Sequence, residues 1–288
     1  MKKNKIQSLE IKISKLLNSG LFGNYKSKLH GNWMEFAEHR EYNFWDPIKN
    51  IDWKASSRWD KLQVKTYEEE KDLSILFVLD NSSSMQFWTS VKTKKENLQE
   101  VFYGLAISAY NNNDNIWALV FDENNLEFFP HKKSKNNIYK ILDSLENKNL
   151  KNKNNKFLEE IINKKIKNNL IIFLTDKTDF DKNLLKLINS QNEIIFINIF
   201  DEFENKISNL KNNTIFNKFL TQDITLNSSK DFINIDLLNT KKILKYNKYR
   251  QNKLDKLKFE LEKQNIWYIL LDNKTDNFTE LLKFFTHQ

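Results

Sequence analysis

Residues 73–85 read LSILFVLDNSSSM, and this stretch determines the class of fold. Apart from Ser74, residues 73–79 form a continuous apolar run, which is typical of a strand buried on both faces of a parallel sheet. Polar residues take over at Asp80, so the strand should end there. We therefore expect an interior strand over 73–79, with a polar cluster directly after its carboxyl end.

Similar apolar runs recur along the chain, and helical patterns separate them. The segment 94–111, for example, carries apolar residues at helical spacing. Strands joined by helices of this length pair in parallel with right-handed crossovers. The predicted fold class is α/β, an open, mostly parallel sheet with helices on both faces. Further strands are expected at 116–122, 126–129, 170–175, 194–200 and 266–271, and further helices at 137–145, 156–166, 182–189, 241–263 and 278–285.

Two segments lie outside this alternation of strands and helices. Residues 30–71 contain four of the seven tryptophans, and residues 201–237 contain short alternating pieces. Both patterns favour short strands, so we expect a small β-rich layer at one end of the sheet. The predicted domains are an N-terminal region over 1–71 and a main domain over 72–288, the latter with a β-rich insertion at about 201–237.

Glycine and cysteine usage excludes several classes of site. The chain has four glycines, none of them after Gly104, and no cysteine. A dinucleotide fingerprint or a phosphate-binding loop needs clustered glycines, so no small-molecule cofactor of these kinds is expected. Disulfides and thiolate metal sites are excluded as well, which fits a reducing compartment.

The hydropathy pattern contains no membrane-spanning or secretory segment. No stretch approaches the roughly 20 apolar residues needed to cross a bilayer. The apolar residues of the first 17 positions are interrupted by charges, unlike the centre of a signal peptide. We therefore expect a cytoplasmic protein without a membrane span.

The formal charge of +8 has two interpretations. Nearly all the basic residues are lysines, which predicts a solvated basic surface. The alternative is a nucleic-acid-binding protein that uses the Lys/Asn-rich stretch at 147–168, since phosphate contacts need clustered bases. The chain has only three arginines, and arginine forks are the usual readers of base edges. Nucleic acid is therefore the less favoured partner.

The polar residues after the first buried strand have the spacing of a metal site. In extended geometry, side chains at i, i+2 and i+4 project to the same side, so Asp80, Ser82 and Ser84 should converge. One carboxylate and two hydroxyls suit Mg²⁺ or Mn²⁺, with water completing an octahedron. Asp176 follows strand 170–175 and should reach the same edge, where open α/β sheets bind ligands. The alternative is that Asp80 and the serines only cap the next helix.

These residues bring in a resemblance to a known family. The D-x-S-x-S motif at 80–84, the Thr-Asp pair at 175–176 and the α/β order resemble a von Willebrand factor A domain with its metal-ion-dependent adhesion site. Upstream, residues 40–58 (REYNFWDPIKNIDWKASSR) resemble the signature R-x-Y-x-x-G-D-x-x-R-x-I-D-W-x-x-S-A-R of a bacterial A-domain-like family classed as domain of unknown function 58. Residues 264–273 (QNIWYILLDN) also resemble the end of that family, so the resemblance covers nearly the whole chain.

The resemblance implies a binding function and assigns residues to it. It implies that one Mg²⁺ or Mn²⁺ is bound by Asp80, Ser82, Ser84 and Asp176. A single carboxylate in the D-x-S-x-S loop leaves the ion with positive charge and an open position, which would attract an Asp or Glu of a protein partner. Members of the family are commonly found beside MoxR-type AAA+ ATPases. The implied role is a metal-dependent interaction module, an adaptor or co-chaperone of such an ATPase.

The chain departs from the family pattern at several points. Trp45 and Lys49 replace the glycine and the second arginine of the signature. A domains usually supply a threonine to the metal from a loop between the second and fourth long strands, and residues 94–174 contain no threonine. Asn154 or Asn155 would have to substitute through an amide oxygen.

The matching residues of the upstream signature have two interpretations. The charged ones would form an ion-pair network that braces the β-rich layer, with the aromatic ones packed against it. Alternatively, the whole set forms a partner-binding surface. The residues concerned are Arg40, Tyr42, Asp46, Asp52, Trp53 and Arg58.

Catalysis is the less favoured function. A metal-dependent phosphotransferase of the haloacid dehalogenase type would use Asp80 as its nucleophile and needs a second Asp two residues later, where this chain has Ser82. No motif joins a histidine to a serine and an aspartate in a nucleophilic triad. We therefore expect a binding protein and no enzyme.

Overall fold

The structure is a computed structural model of the chain. It describes residues 34–46, 48–58, 61–69, 74–86, 92–146, 156–201, 225–228, 231–234, 240–272 and 277–286. Asn154 and Asn155, the first part of the Lys/Asn-rich stretch and most of the predicted insertion lie outside these residues. Among the helices described, none is both long and apolar enough to cross a membrane.

The strands and helices follow the order expected from the sequence. The strands are β1 (Met34–Glu41), β2 (Gln63–Glu69), β3 (Ser74–Asp80), β4 (Asn115–Phe121), β5 (Leu126–Phe129), β6 (Leu170–Thr175), β7 (Glu193–Phe200), β8 (Thr225–Ser228), β9 (Asp231–Asn234) and β10 (Trp267–Asp272). The helices are α1 (Trp53–Ser56), α2 (Lys94–Asn111), α3 (Lys135–Glu146), α4 (Phe157–Asn163), α5 (Lys182–Asn189), α6 (Thr240–Lys263) and α7 (Asn277–Thr286), with 3-10 turns at Ile48–Asn50 and Ser83–Gln86.

Six strands form the main sheet in the order β10-β7-β6-β3-β4-β5. All neighbouring strands are parallel except β5, which pairs antiparallel with β4 at one edge. β3 lies inside the sheet between β6 and β4, as its apolar run predicts. The predicted α/β class with a mostly parallel sheet is thereby confirmed.

Alternate residues of β3 enter two separate cores. Ile75, Phe77 and Leu79 pack with α2 and α3 on one face of the sheet. Leu76 and Val78 pack on the other face with residues of α4, α5 and α6. Both faces of the central strand are therefore buried under helices, which explains why nearly every position of the strand is apolar.

The helices that follow β3 and β6 cover opposite faces of the sheet. The chain leaves β3 through α2, on the first face, to reach β4 on one side of it. β6 lies on the other side of β3, and its following helix α5 covers the second face. The two connections separate at this point of the sheet, which is where open α/β folds form ligand sites.

Two details differ from the sequence-based expectation. The helix expected over 156–166 ends at Asn163, because Lys165 adopts a left-handed backbone (φ 52°) and the Ile166 N–H donates to the Ile161 carbonyl (3.4 Å). This left-handed closure is a common way for a helix to end. The expected β-rich layer is present as two separate two-stranded antiparallel sheets, β1-β2 and β8-β9.

The aromatic contact between β3 and α2 gives a test of the core. The rings of Phe77 and Phe102 meet edge to face at 5.1 Å, and both side chains are fully buried. We expect Phe77→Ala to lower the free energy of unfolding by about 3–5 kcal/mol in urea denaturation, because the interior cannot fill the cavity. Phe259→Ala, on the exposed side of α6, is the control and should change it by about 0.5 kcal/mol or less. Equal effects of the two substitutions would contradict the packing described.

Candidate metal and partner-binding site

A threonine hydroxyl joins the carboxyl ends of the two central strands. β3 ends at Asp80 and its neighbour β6 ends at Thr175. The Thr175 hydroxyl donates to Oδ2 of Asp80 (2.5 Å) and accepts from the backbone N–H of Lys177 (3.0 Å). Asp80 and Thr175 are both fully buried. The carboxylate therefore has one position, fixed by the pairing of the strands.

The serine loop continues this hydrogen-bonded cluster. The backbone N–H of Ser82 donates to Oδ1 of Asp80 (2.9 Å), and the hydroxyl oxygens of Ser82 and Ser84 lie 3.0 Å apart. The Ser84 hydroxyl donates to Oδ1 of Asp176 (3.1 Å). The structure thus places Asp80, Ser82, Ser84 and Asp176 in one cluster, the four residues that the sequence analysis named as metal ligands.

The capping alternative applies only to a short turn. Helix α2 begins at Lys94 and is capped by Thr93, whose hydroxyl accepts from the Glu96 N–H while the Glu96 carboxylate accepts from the Thr93 N–H (both 3.0 Å). This is a complete capping box. Asp80 accepts from Ser82 just before the 3-10 turn, so it organises that turn and does not cap α2.

Sequence reasoning missed one residue of the cluster. The ammonium group of Lys94 lies 2.7 Å from Oδ2 of Asp176, and its side chain is fully buried. Lys94 is the first residue of α2, where a positive charge is opposed by the helix dipole. That unfavourable location was the available signal, since a lysine at the start of a helix suggests a carboxylate partner elsewhere in the fold.

The two carboxylates have opposite electrostatic environments. Burial raises the pKa of Asp80, and the negative charge of Asp176 raises it further, against the charge of Lys177 and the hydrogen bonds from Ser82 and Thr175. Burial also opposes ionisation of Asp176. The charge and hydrogen bond of Lys94, helped by the Ser84 hydroxyl, nevertheless bring the pKa of Asp176 below its usual range. The pKa of Asp80 is therefore raised, whereas pairing with Lys94 lowers that of Asp176.

The donor set fits a hard divalent cation. Within the described parts of the chain, no group of three or more His, Cys, Asp or Glu residues could hold a metal, so the serine hydroxyls are needed as ligands. Ser82 is buried and Ser84 half-buried, so the hydroxyls lie nearer to solvent than Asp80. The amide oxygens of Asn81, after β3, and Asn198, in β7, are buried without a hydrogen-bond partner.

Three residues of the upstream signature make polar contacts within their own segment. Arg40 and Asp46 form a bidentate ion pair (2.8 and 2.5 Å), and Asp46 also accepts from the backbone N–H of Asn43 (2.8 Å). Asp52 caps α1 through Oδ1 and lies 3.0 Å from His39 Nε2 through Oδ2. These contacts fix the shape of the segment, as the structural interpretation requires.

The other three signature residues differ in exposure. Tyr42 is half-buried, whereas Trp53 and Arg58 are exposed. Trp53 belongs to a set of large apolar side chains that point into solvent within ten positions of the chain. This set, which we call the exposed apolar set, comprises Phe44 (82% exposed), Trp45 (90%), Ile48 (69%) and Trp53 (65%).

The Thr175 hydroxyl can be tested without changing the shape of the site. We expect Thr175→Val to lower the free energy of unfolding by about 1–3 kcal/mol, because the buried Asp80 carboxylate loses a hydrogen bond that nothing replaces. Thr178→Val, at a half-buried position three residues later, is the matched control and should have a smaller effect. The measurement is urea denaturation of both variants at neutral pH. An unchanged stability of Thr175→Val would mean that Asp80 does not depend on this donor.

Comparison with known proteins gives the family of the chain. The model of the family described as "Protein of unknown function DUF58" matches residues 38–225, which is more than half of the 288 residues. Among solved structures, the chain is similar to the crystal structure of the SpRpn10 VWA domain, with 12% sequence identity, 73% of this chain and 94% of that chain covered, and a TM-score of 0.38. No curated protein matches. The extent of the family match shows that this protein belongs to the DUF58 family.

Proposed function

We propose that this protein is a metal-dependent protein–protein interaction module, an adaptor or co-chaperone that works with a MoxR-type AAA+ ATPase. The observation that carries the proposal is the cluster of Asp80, Ser82, Ser84 and Asp176 at the carboxyl edge of the sheet. The link to the ATPase comes from the family resemblance of the sequence, and the experiment below addresses it directly.

The chemistry of the cluster suits a bridging ion. Ser82 and Ser84 would ligate Mg²⁺ or Mn²⁺ through their hydroxyls, and the carboxylates of Asp80 and Asp176 would supply negative charge beneath them. A bound ion would offer a coordination position to an Asp or Glu side chain of the partner. The residues of the chain would therefore position the ion, and the partner would supply a further ligand.

The burial of Asp80 supports binding over phosphoryl transfer. A nucleophilic carboxylate must reach a phosphorus atom, but Asp80 is fully buried and both of its oxygens accept hydrogen bonds within the protein. The position two residues later, where a general acid would be needed, is a serine whose oxygen lies against Ser84. These features favour an interaction site.

The segment at 44–53 supports a protein partner through a different surface. Its exposed apolar set is held on a backbone that the Arg40–Asp46 ion pair and the Asp52 cap keep in one shape. Exposed apolar side chains surrounded by polar residues commonly mark protein interaction sites. The signature segment thus combines a structural network with an exposed face that is available for contact.

Nucleic-acid binding is the alternative that the charge of +8 favours. If the lysines form a solvated surface, binding to duplex or single-stranded DNA should be weak and should fall steeply with salt. We expect dissociation constants above about 1 μM at physiological salt, measured by fluorescence anisotropy with two unrelated sequences. Tighter binding that prefers one sequence would favour the nucleic-acid function.

The metal-dependent contact is tested by changing Asp80. We expect Asp80→Ala to abolish Mn²⁺ binding in calorimetry. In a pull-down, the variant should recover the purified MoxR-type ATPase from the same genome about tenfold less well or worse. A loss of about 1.4 kcal/mol of binding free energy is enough for a tenfold change. Wild-type protein in EDTA should show the same loss. Asp179→Ala, which removes an exposed carboxylate from the loop after β6, is the matched control and should bind as the wild type does.

The three conditions separate the possible outcomes. Equal recovery of the ATPase in Mg²⁺, in EDTA and with Asp80→Ala would show that the cluster of Asp80, Ser82, Ser84 and Asp176 does not make the contact. In that case the exposed apolar set is the next surface to change, with Trp53→Ala as the first variant. Failure to recover the ATPase under any condition would contradict the proposed partner.

A further inference from the structure

Lys94 is the buried lysine of the cluster at the carboxyl ends of β3 and β6, which we call the strand-end cluster. This cluster comprises Asp80, Ser82, Ser84, Lys94, Thr175 and Asp176. Lys94 and Asp176 lie 2.7 Å apart, with side-chain exposures of 0% and 7%. Two charges so far from solvent are stable only as a close, hydrogen-bonded pair, because each would otherwise lose its hydration without compensation. The pair is therefore a fixed part of the cluster, which distinguishes it from the exposed ion pairs elsewhere on the chain.

Lys94 reaches the cluster because α2 begins at a defined point. Thr93 and Glu96 form the capping box that starts this helix, so Lys94 occupies its first position. From there its side chain crosses to the carboxylate that follows β6, 82 positions later in the sequence. The start of α2 and the end of β6 thus determine the position of the Lys94 ammonium group.

The ammonium and the proposed metal ligands share one carboxylate. Asp176 accepts from Lys94 through Oδ2 and from the Ser84 hydroxyl through Oδ1, and Ser84 in turn lies against Ser82. If both carboxylates are ionised, the group formed by Asp80, Asp176 and Lys94 carries one net negative charge, and the charges of Lys177 and Arg250 act on the same two carboxylates. Without Lys94 the group would carry two.

We propose that Lys94 is a built-in counter-ion that supplies part of the positive charge a divalent cation would bring, so that the cluster keeps its geometry without metal and binds Mg²⁺ or Mn²⁺ weakly. This inference rests on the proposed function, since it concerns the same site. Its physical basis is the repulsion between an ammonium group and a divalent ion that interact with the same carboxylate in a poorly screened environment.

The test compares Lys94→Met with the wild type in the full chain. Methionine keeps an unbranched side chain of similar length and removes the charge. We expect Lys94→Met to bind Mn²⁺ at least about tenfold more tightly, measured by electron paramagnetic resonance of free Mn²⁺. Its thermal midpoint should rise with Mn²⁺ and fall in EDTA, whereas the midpoint of the wild type should change little.

Two control variants isolate the charge. Lys92→Met removes a lysine that pairs with Glu100 (2.5 Å) outside the cluster, so its Mn²⁺ affinity should equal that of the wild type. Lys94→Arg keeps the positive charge at the same position and should retain weak Mn²⁺ binding. A tenfold gain in either control would show that the change in affinity does not come from the charge at position 94.

A folding defect would leave the inference testable. If Lys94→Met unfolds in EDTA because Asp176 has lost its partner, millimolar Mn²⁺ should restore the circular dichroism of the folded protein. The same ion should fail to restore it in Lys94→Met/Asp80→Ala. Failure of Mn²⁺ to restore the single variant would count against the counter-ion role.

The outcomes distinguish this inference from the proposed function. Equal, measurable Mn²⁺ affinity in the wild type and Lys94→Met would overturn the counter-ion role and leave the metal-dependent contact in place. Mn²⁺ binding by Lys94→Met alone would support the counter-ion role and remove the metal from the function of the natural chain. Absence of Mn²⁺ binding in both proteins would contradict both proposals.

Discussion

A carboxylate at the buried end of the central strand is the constraint on which the strand-end cluster depends. Asp80 completes β3, the strand that contributes to both cores, and it has no contact with solvent. A buried carboxylate is tolerated only where donors surround it. The Thr175 hydroxyl and the Ser82 N–H provide them, one from the neighbouring strand and one from the following loop. Satisfying Asp80 therefore also fixes the serine loop and the end of β6.

Asp176, the second buried carboxylate, also needs partners within the protein. Asp176 is close enough to Asp80 to raise the pKa of that group by its charge, so an ionised Asp176 needs a cation of its own. Lys94 provides it from the first position of α2, with a smaller contribution from Arg250. The site thus contains one carboxylate that is paired with a cation and one that is satisfied mainly by neutral donors. The two carboxylates therefore differ in their ionisation, since the pKa of Asp80 is raised and that of Asp176 is lowered.

The residues of the upstream signature differ in their contacts and in their exposure. Arg40, Asp46 and Asp52 use their charges inside the segment, in an ion pair and a helix cap. Trp53 and Arg58 extend into solvent, so their types are not explained by packing. A bidentate arginine–carboxylate pair is geometrically demanding, which suits it to fixing a loop. The structural interpretation therefore applies to Arg40, Asp46 and Asp52, and a partner-binding role of Trp53 and Arg58 stays a prediction.

The sequence by itself determined the six strands of the main sheet, most of the helices and the grouping of the D-x-S-x-S side chains. Burial on both faces requires apolar residues throughout a strand, so the run at 73–79 predicted β3 within one residue of its observed bounds. Spacing likewise predicted that Asp80, Ser82 and Ser84 would lie together, although Ser84 lies in a 3-10 turn and not in the extended chain that the prediction assumed. Only the tertiary structure decided that Lys94 would pair with Asp176 and that Thr175 would hold Asp80. Contacts between residues more than eighty positions apart depend on strand order and helix placement, and no local pattern records them.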